Sequence, residues 1–174
     1  MKKRILALAC TAVLLGFGSN AYAADNGRAT ATIAGSISVA KEGTGSTTGG
    51  DLAFGNLIPS GTAGTVVIHY SSGVRTFPTS AVTGTSLLPY GNAQFKVTGD
   101  AGATYTVALP TDSILTSTTN AADTMTVDTF TKDVTTGTLT GGTSTFHVGG
   151  TLHVGANQPS GSYVGTFNVT AAYN

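Results

Sequence analysis

Apolar and polar residues alternate along most of this chain. After residue 23 the apolar positions recur every second residue, and no stretch carries the spacing of an amphipathic helix. The clearest case is 162–173. Tyr163, Gly165, Phe167, Val169, Ala171 and Tyr173 fall on one face; Val164, Thr166, Asn168, Thr170 and Ala172 fall on the other. Residues 29–40 behave likewise, with Ala29, Ala31, Ile33, Gly35, Ile37 and Val39 on one face. A Phe or Ile gains about 1.5–3 kcal/mol on full burial, so both end segments are expected to be integral to a sheet. Further strands are expected at 51–57, 64–70, 93–98, 104–109, 124–130 and 144–154, with a short one near 74–77. Turn signals separate them at 43–50, 59–61, 71–73, 99–102, 141–142 and 159–161. Short strands at this spacing predict an all-β sandwich or barrel. An echo, TFHVG at 145–149 and TLHVG at 151–155, reads as one strand bulged at Gly149-Gly150.

The first 23 residues differ from the rest. Lys2, Lys3 and Arg4 precede an apolar run over 5–17, and Ala21-Tyr22-Ala23 is a small-x-small cleavage signal. This is the pattern of a bacterial secretory signal peptide, with cleavage expected after Ala23. Lipidation at Cys10 is disfavoured, because the segment before it is short and Ala7 stands where Leu is preferred. Removing 23 of the 174 residues leaves 151, the size of one domain, 24–174. Five basic and eight acidic side chains remain, a formal charge of −3. That balance, without basic clusters, argues against nucleic acid and anionic membrane surfaces. No other segment is long and apolar enough to span a membrane, so none is expected after cleavage. The only cysteine lies in the leader, so the exported chain has no disulfide. Low charge with regular alternation opposes disorder.

Few residues offer chemistry. His147 and His153 share parity, yet zinc takes three or four ligands and no carboxylate or cysteine adjoins them in sequence. They read as solvent-facing strand residues, and His69 as structural. The glycines over 43–49 follow neither the P-loop nor the dinucleotide spacing, and the segment lacks a Lys, so it reads as a flexible loop. There is no G-x-S-x-G elbow. Asp123 and Asp128 flank a strand start without a calcium-loop pattern. The Asn168-Val-Thr sequon lies inside a predicted strand. No enzyme activity, catalytic residue, metal or cofactor is expected.

Three segments together resemble a known family. They are Ala29-Thr-Ala-Thr-Ile-Ala-Gly35-Ser-Ile-Ser-Val39, Asp51-Leu-Ala-Phe-Gly-Asn-Leu57, and Gln158-Pro-Ser-Gly-Ser-Tyr163 continuing through Gly165 to Tyr173. They are similar to the donor strand and first strand, the "L-x-F-G" second strand, and the final chaperone-binding strand of chaperone–usher pilin subunits. The likeness is closest to the spore-coat-U-like, Gly/Thr-rich secreted domains of that group. It implies an immunoglobulin-like sandwich that is incomplete until a strand is donated to it. Residues 24–36 would be the donor, presenting Ala29, Ala31, Ile33, Gly35 and Ile37. The face from Tyr163 to Tyr173 would border the acceptor groove. The partners implied are further copies or related subunits head-to-tail, a periplasmic chaperone and an outer-membrane usher. The location implied is the cell surface, a fimbria or the secreted fraction, with a role in adhesion or biofilm.

Two features depart from that family. A disulfide between the first strands cannot form, and Ala29 and Ala31 are small for donor residues. Both also fit a self-complemented monomer of the same fold; a separate alternative is a monomeric secreted binding module, such as a carbohydrate-binding β-sandwich. Tyr70, Phe77 and Tyr90 are the only aromatics outside predicted core faces that could serve such a module.

Overall fold

A computed structural model describes residues 22–24, 37–43 and 47–174, the first three by backbone alone. The described residues form fourteen strands and no helix: β1 Tyr22–Ala24, β2 Ser38–Lys41, β3 Asn56–Pro59, β4 Gly64–Ile68, β5 Arg75–Thr76, β6 Val82–Thr85, β7 Ala93–Thr98, β8 Thr104–Ala108, β9 Asp112–Ser117, β10 Thr124–Lys132, β11 Thr136–Thr138, β12 Thr143–Val154, β13 Tyr163–Val164 and β14 Thr170–Tyr173. They make an all-β sandwich of antiparallel sheets. The smaller layer runs β1-β14-β8-β11. The larger runs β13-β9-β10-β12, and the long β12 then pairs β7 through its first half and β4 through its second. β2 extends the sheet beyond β7, and β5 beyond β4. A separate ribbon, β3-β6, lies alongside.

Alternation explains how the layers pack. In β7, Ala93, Phe95 and Val97 are buried while Gln94 and Lys96 are half-buried on the other face. They join Ile37, Val39, Phe146 and Val148 against Tyr105, Val107, Leu139, Val169 and Ala171 of the smaller layer. This half of the sandwich is closed. Beyond it, Val66, Ile68, Val127, Leu152 and Val154 of the larger sheet meet only Phe54 and Val82 among buried residues. The smaller layer does not extend over this half. A row of rings connects the two: Phe146 stacks on Phe95 at 5.5 Å, Phe95 meets Phe167 edge-on at 5.8 Å, and Phe167 stacks on Phe130 at 5.0 Å.

Several expectations change. The strand expected over 51–57 is reduced to one bridge, Ala53 with Gly91, before β3 begins. Gly55 sits at φ 70°, a left-handed conformation that breaks an extended run. The strand expected over 162–173 is split. β13 pairs β9 in the larger sheet, β14 pairs β8 in the smaller one, and 165–169 join no ladder. A segment that changes sheets must leave its ladder between them. The bulge expected at Gly149-Gly150 lies instead in the partner strand: β12 is continuous, and the register of β10 shifts between Asp128 and Thr131. Thr129 there has φ 48°. The extra residue switches the inward parity of β10 from Val127 to Phe130. Gly149 serves close approach, since a Cβ would strike the Ile68 carbonyl.

Candidate functional site

The uncovered half of the larger sheet is an apolar groove of about 780 Å³. Its floor is Leu115, Met125, Val127, Phe130, Leu152 and Val154, contributed by β9, β10 and β12. Two stretches of chain form its walls. One is 51–57, backed by Leu88 and Pro89; the other is 162–167. They stand at opposite margins of the floor. Phe54 packs with Val66 and Ile68 of β4, whereas Tyr163 and Val164 ladder onto β9. Residues 54–55 and 165–169 take part in no strand ladder. The groove therefore offers apolar side chains below, with short lengths of unladdered main chain at 54–55 on one wall and 165–167 on the other.

Local chemistry fixes each wall. Gly165 lies so close to β9 that a Cβ would collide with the Ile114 carbonyl, and Ser113 Oγ donates to the Thr166 carbonyl at 2.8 Å. The 155–163 loop beside this wall is knitted by Gln158. Its Oε1 accepts from the Gly155 amide at 3.1 Å, and its Nε2 donates to Tyr163 Oη at 3.0 Å. Tyr163 Oη in turn donates to the Pro159 carbonyl at 2.7 Å. On the facing wall, the Arg75 guanidinium reaches the Phe54 carbonyl at 2.7 Å and the Asn56 carbonyl at 3.3 Å.

The C-terminal face read from the sequence borders this region. Phe167 is half-buried beside the groove and stacks on its floor, while Val169 and Ala171 are buried in the closed half. Tyr173 packs against the same core, and its hydroxyl accepts the Asp100 amide at 2.7 Å. The outer edge of β14 is not bare: Tyr22, Ala23 and Ala24 pair antiparallel with Ala172, Ala171 and Thr170. Ala23 and Ala24 flank the expected cleavage point. Of the expected donor residues, Ala29, Ala31, Ile33 and Gly35 lie outside the described residues, as does Ala21. Ile37 is 3% exposed within the protein's own core, so it belongs to the folded body rather than to a donated segment.

The model family of the domain of unknown function DUF4402 matches residues 44–173. The chain belongs to this family. The match spans both groove walls, the floor strands and β14 of this DUF4402 domain. No curated protein and no solved structure matches it significantly.

His147 and His153 of the DUF4402 domain do have carboxylate neighbours, brought in by β-pairing across 14 and 25 residues of sequence. His147 Nδ1 lies 2.9 Å from Asp133 Oδ2, and Asp133 Oδ1 accepts the His147 amide at 2.8 Å. His153 Nε2 lies 2.9 Å from Asp128 Oδ1. The hydrogen bond from His153 holds the Asp128 carboxyl below the usual aspartate range. Among the described residues, no three His, Cys, Asp or Glu side chains gather to hold a metal. His69 Nε2 meets Thr76 Oγ1 at 3.2 Å, a link between β4 and β5. Lys132 Nζ donates to the Val107 carbonyl, joining β10 to β8, and burial lowers its pKa.

Two of the candidate aromatics are engaged with Arg75. Phe77 and Tyr90 flank the Arg75 guanidinium, at 5.2 and 4.2 Å from ring centre to Cζ. Tyr70 lies in a turn, where its carbonyl accepts Asn92 Nδ2. The short strand carrying Arg75 is the one expected near 74–77, but the role of Arg75 is not legible in the sequence, because one Arg in a charge-poor chain carries no pattern.

Proposed function

We propose that this protein is a structural subunit of a bacterial surface fibre or coat, assembled by insertion of an extended strand from a neighbouring subunit into the apolar groove. The observation that carries this reading is the groove itself: an apolar floor left uncovered by the smaller layer, with unladdered main chain at 54–55 and 165–167 beside it. Such a slot suits β-augmentation, in which backbone bonds supply affinity and alternate side chains fill the floor. Residues 24–36 of another copy or a related subunit provide the donor, with Ala29, Ala31, Ile33 and Gly35 facing down. Head-to-tail insertion of this kind is heterologous and open, and so builds a filament. On this reading the sandwich is an incomplete, immunoglobulin-like pilin domain. A periplasmic chaperone shields the groove during export, and an outer-membrane usher exchanges it for the next subunit. The fibre then supports adhesion or biofilm at the cell surface.

The test is deletion of residues 24–35 in the exporting bacterium. The truncated subunit should reach the periplasm as a monomer and form no SDS-resistant ladder or filament by electron microscopy. Gly35→Arg should also block assembly. Filaments of normal length from the deletion strain would refute the proposal.

A further inference from the structure

We infer that Arg75 is the positioning residue of the groove: it anchors the 51–57 wall to the larger sheet and so holds the slot open. The part of this inference that concerns strand capture rests on the function proposed above. Arg75 lies on β5, opposite Ile68 of β4, and is thereby fixed to the sheet that makes the floor. Its Nη1 donates to the Phe54 carbonyl at 2.7 Å and the Asn56 carbonyl at 3.3 Å; its Nη2 donates to the Thr85 carbonyl of β6 at 2.8 Å. One side chain thus joins the wall, the ribbon behind it and the sheet.

The surroundings are built for a guanidinium. Tyr90 and Phe77 offer it ring faces at 4.2 and 5.2 Å. Two glycines leave it room. A Cβ on Gly55 would come within 2.7 Å of Nη1, and one on Gly84 would overlap Nη2 and the Phe77 ring. Among the described residues Arg75 forms no carboxylate ion pair; carbonyl oxygens and ring faces surround its charge. A planar fork with five donors meets this arrangement, and the compact ammonium of Lys does not.

The need for an anchor follows from the groove. Leu52 and Leu57 of this wall adjoin the apolar floor, and moving the wall inward would bury more apolar surface. Unrestrained, the slot tends to close. Two carbonyls of the wall held on the sheet side oppose that motion.

The experiment uses the chain from residue 24 onward, as wild type, Arg75→Lys and Arg75→Ala. Hydrogen exchange is followed at the 52–57 amides and across Thr143–Val154 of β12. Both variants should exchange at 52–57 about tenfold faster or more, with β12 unchanged, because the opening is local. A labelled peptide of residues 24–36 should bind each variant about tenfold more weakly than wild type. Millimolar ethylguanidinium should restore both properties in Arg75→Ala and in no other variant, an effect that general destabilisation would not show. Unchanged exchange at 52–57, or acceleration spread equally over β12, would overturn the inference. Should wild type bind no peptide, strand capture is refuted, and the exchange pattern alone decides the role of Arg75. Should Arg75→Ala not fold, the exchange pattern of Arg75→Lys decides it.

Discussion

Phe167 joins the closed half of the sandwich to the open one, so its removal measures how far the two halves stabilise each other. Its ring meets Phe95 edge-on at 5.8 Å and Phe130 face-on at 5.0 Å. Truncating a fully buried Phe to Ala costs about 3–5 kcal/mol. Phe167 keeps some exposure beside the groove, which lowers the transfer part, while each aromatic contact adds about 0.5–1.5 kcal/mol. The expected cost of Phe167→Ala is therefore about 3 kcal/mol. At about 2–4 °C per kcal/mol for a domain of this size, the midpoint falls by about 6–12 °C. The chain lacks Trp, so calorimetry is the suitable assay. Val164, two strand positions from Gly165's neighbour Thr166 and 58% exposed, provides the control: Val164→Ala should change stability by less than about 0.5 kcal/mol. A Phe167→Ala midpoint within about 2 °C of wild type would refute the idea that this ring couples the halves.

Three smaller perturbations test other features. Tyr105 is wholly buried with its hydroxyl unpartnered among the described residues, so Tyr105→Phe should gain about 1 kcal/mol in urea unfolding. Thr129 holds φ 48° at the β10 bulge, and Thr129→Asn, which tolerates that conformation, should raise the midpoint by the equivalent of about 1 kcal/mol. Asp128 titrates below its ordinary value of 3.8, chiefly through the hydrogen bond from His153. A depressed carboxyl contributes stability above the unfolded pKa and loses it as pH falls through the folded one. The pair is largely exposed, so Asp128→Asn should cost less than about 1 kcal/mol at pH about 5, and the gap should vanish toward pH about 2.

Strands rich in Val, Ile and Phe were legible in the sequence. β7 matches the expected 93–98, β12 differs from 144–154 by one residue, and β4 and β8 fray only at their ends. Alternation reports which face is buried, and Val169 and Ala171 are buried as their parity requires. It does not report whether a backbone has a neighbour on either side. For that reason 165–169 kept a strand pattern although the chain there is crossing between sheets. β6, β9 and β11 escaped notice because Thr, Ser and Gly dominate them, and in β9 the apolar pair Ile114-Leu115 puts one residue on each face. The groove was legible only in part. Phe167 and Gly165 stood out on the C-terminal face, whereas Arg75 and the two His–Asp pairs depend on contacts between residues far apart in the chain.

The pairing of Tyr22–Ala24 with β14 bears on the order of events that the proposed export would follow. A main-chain amide committed to a neighbouring strand is not free for a protease, which must hold its substrate as an unpaired, extended chain. The expected cut between Ala23 and Ala24 falls within this paired segment. On the proposal that residues 1–23 are a leader cut after Ala23, a precursor that folds before processing would conceal its own scissile bond. Processing would then have to come first, and of the three paired residues it would leave only Ala24 on the outer margin of β14.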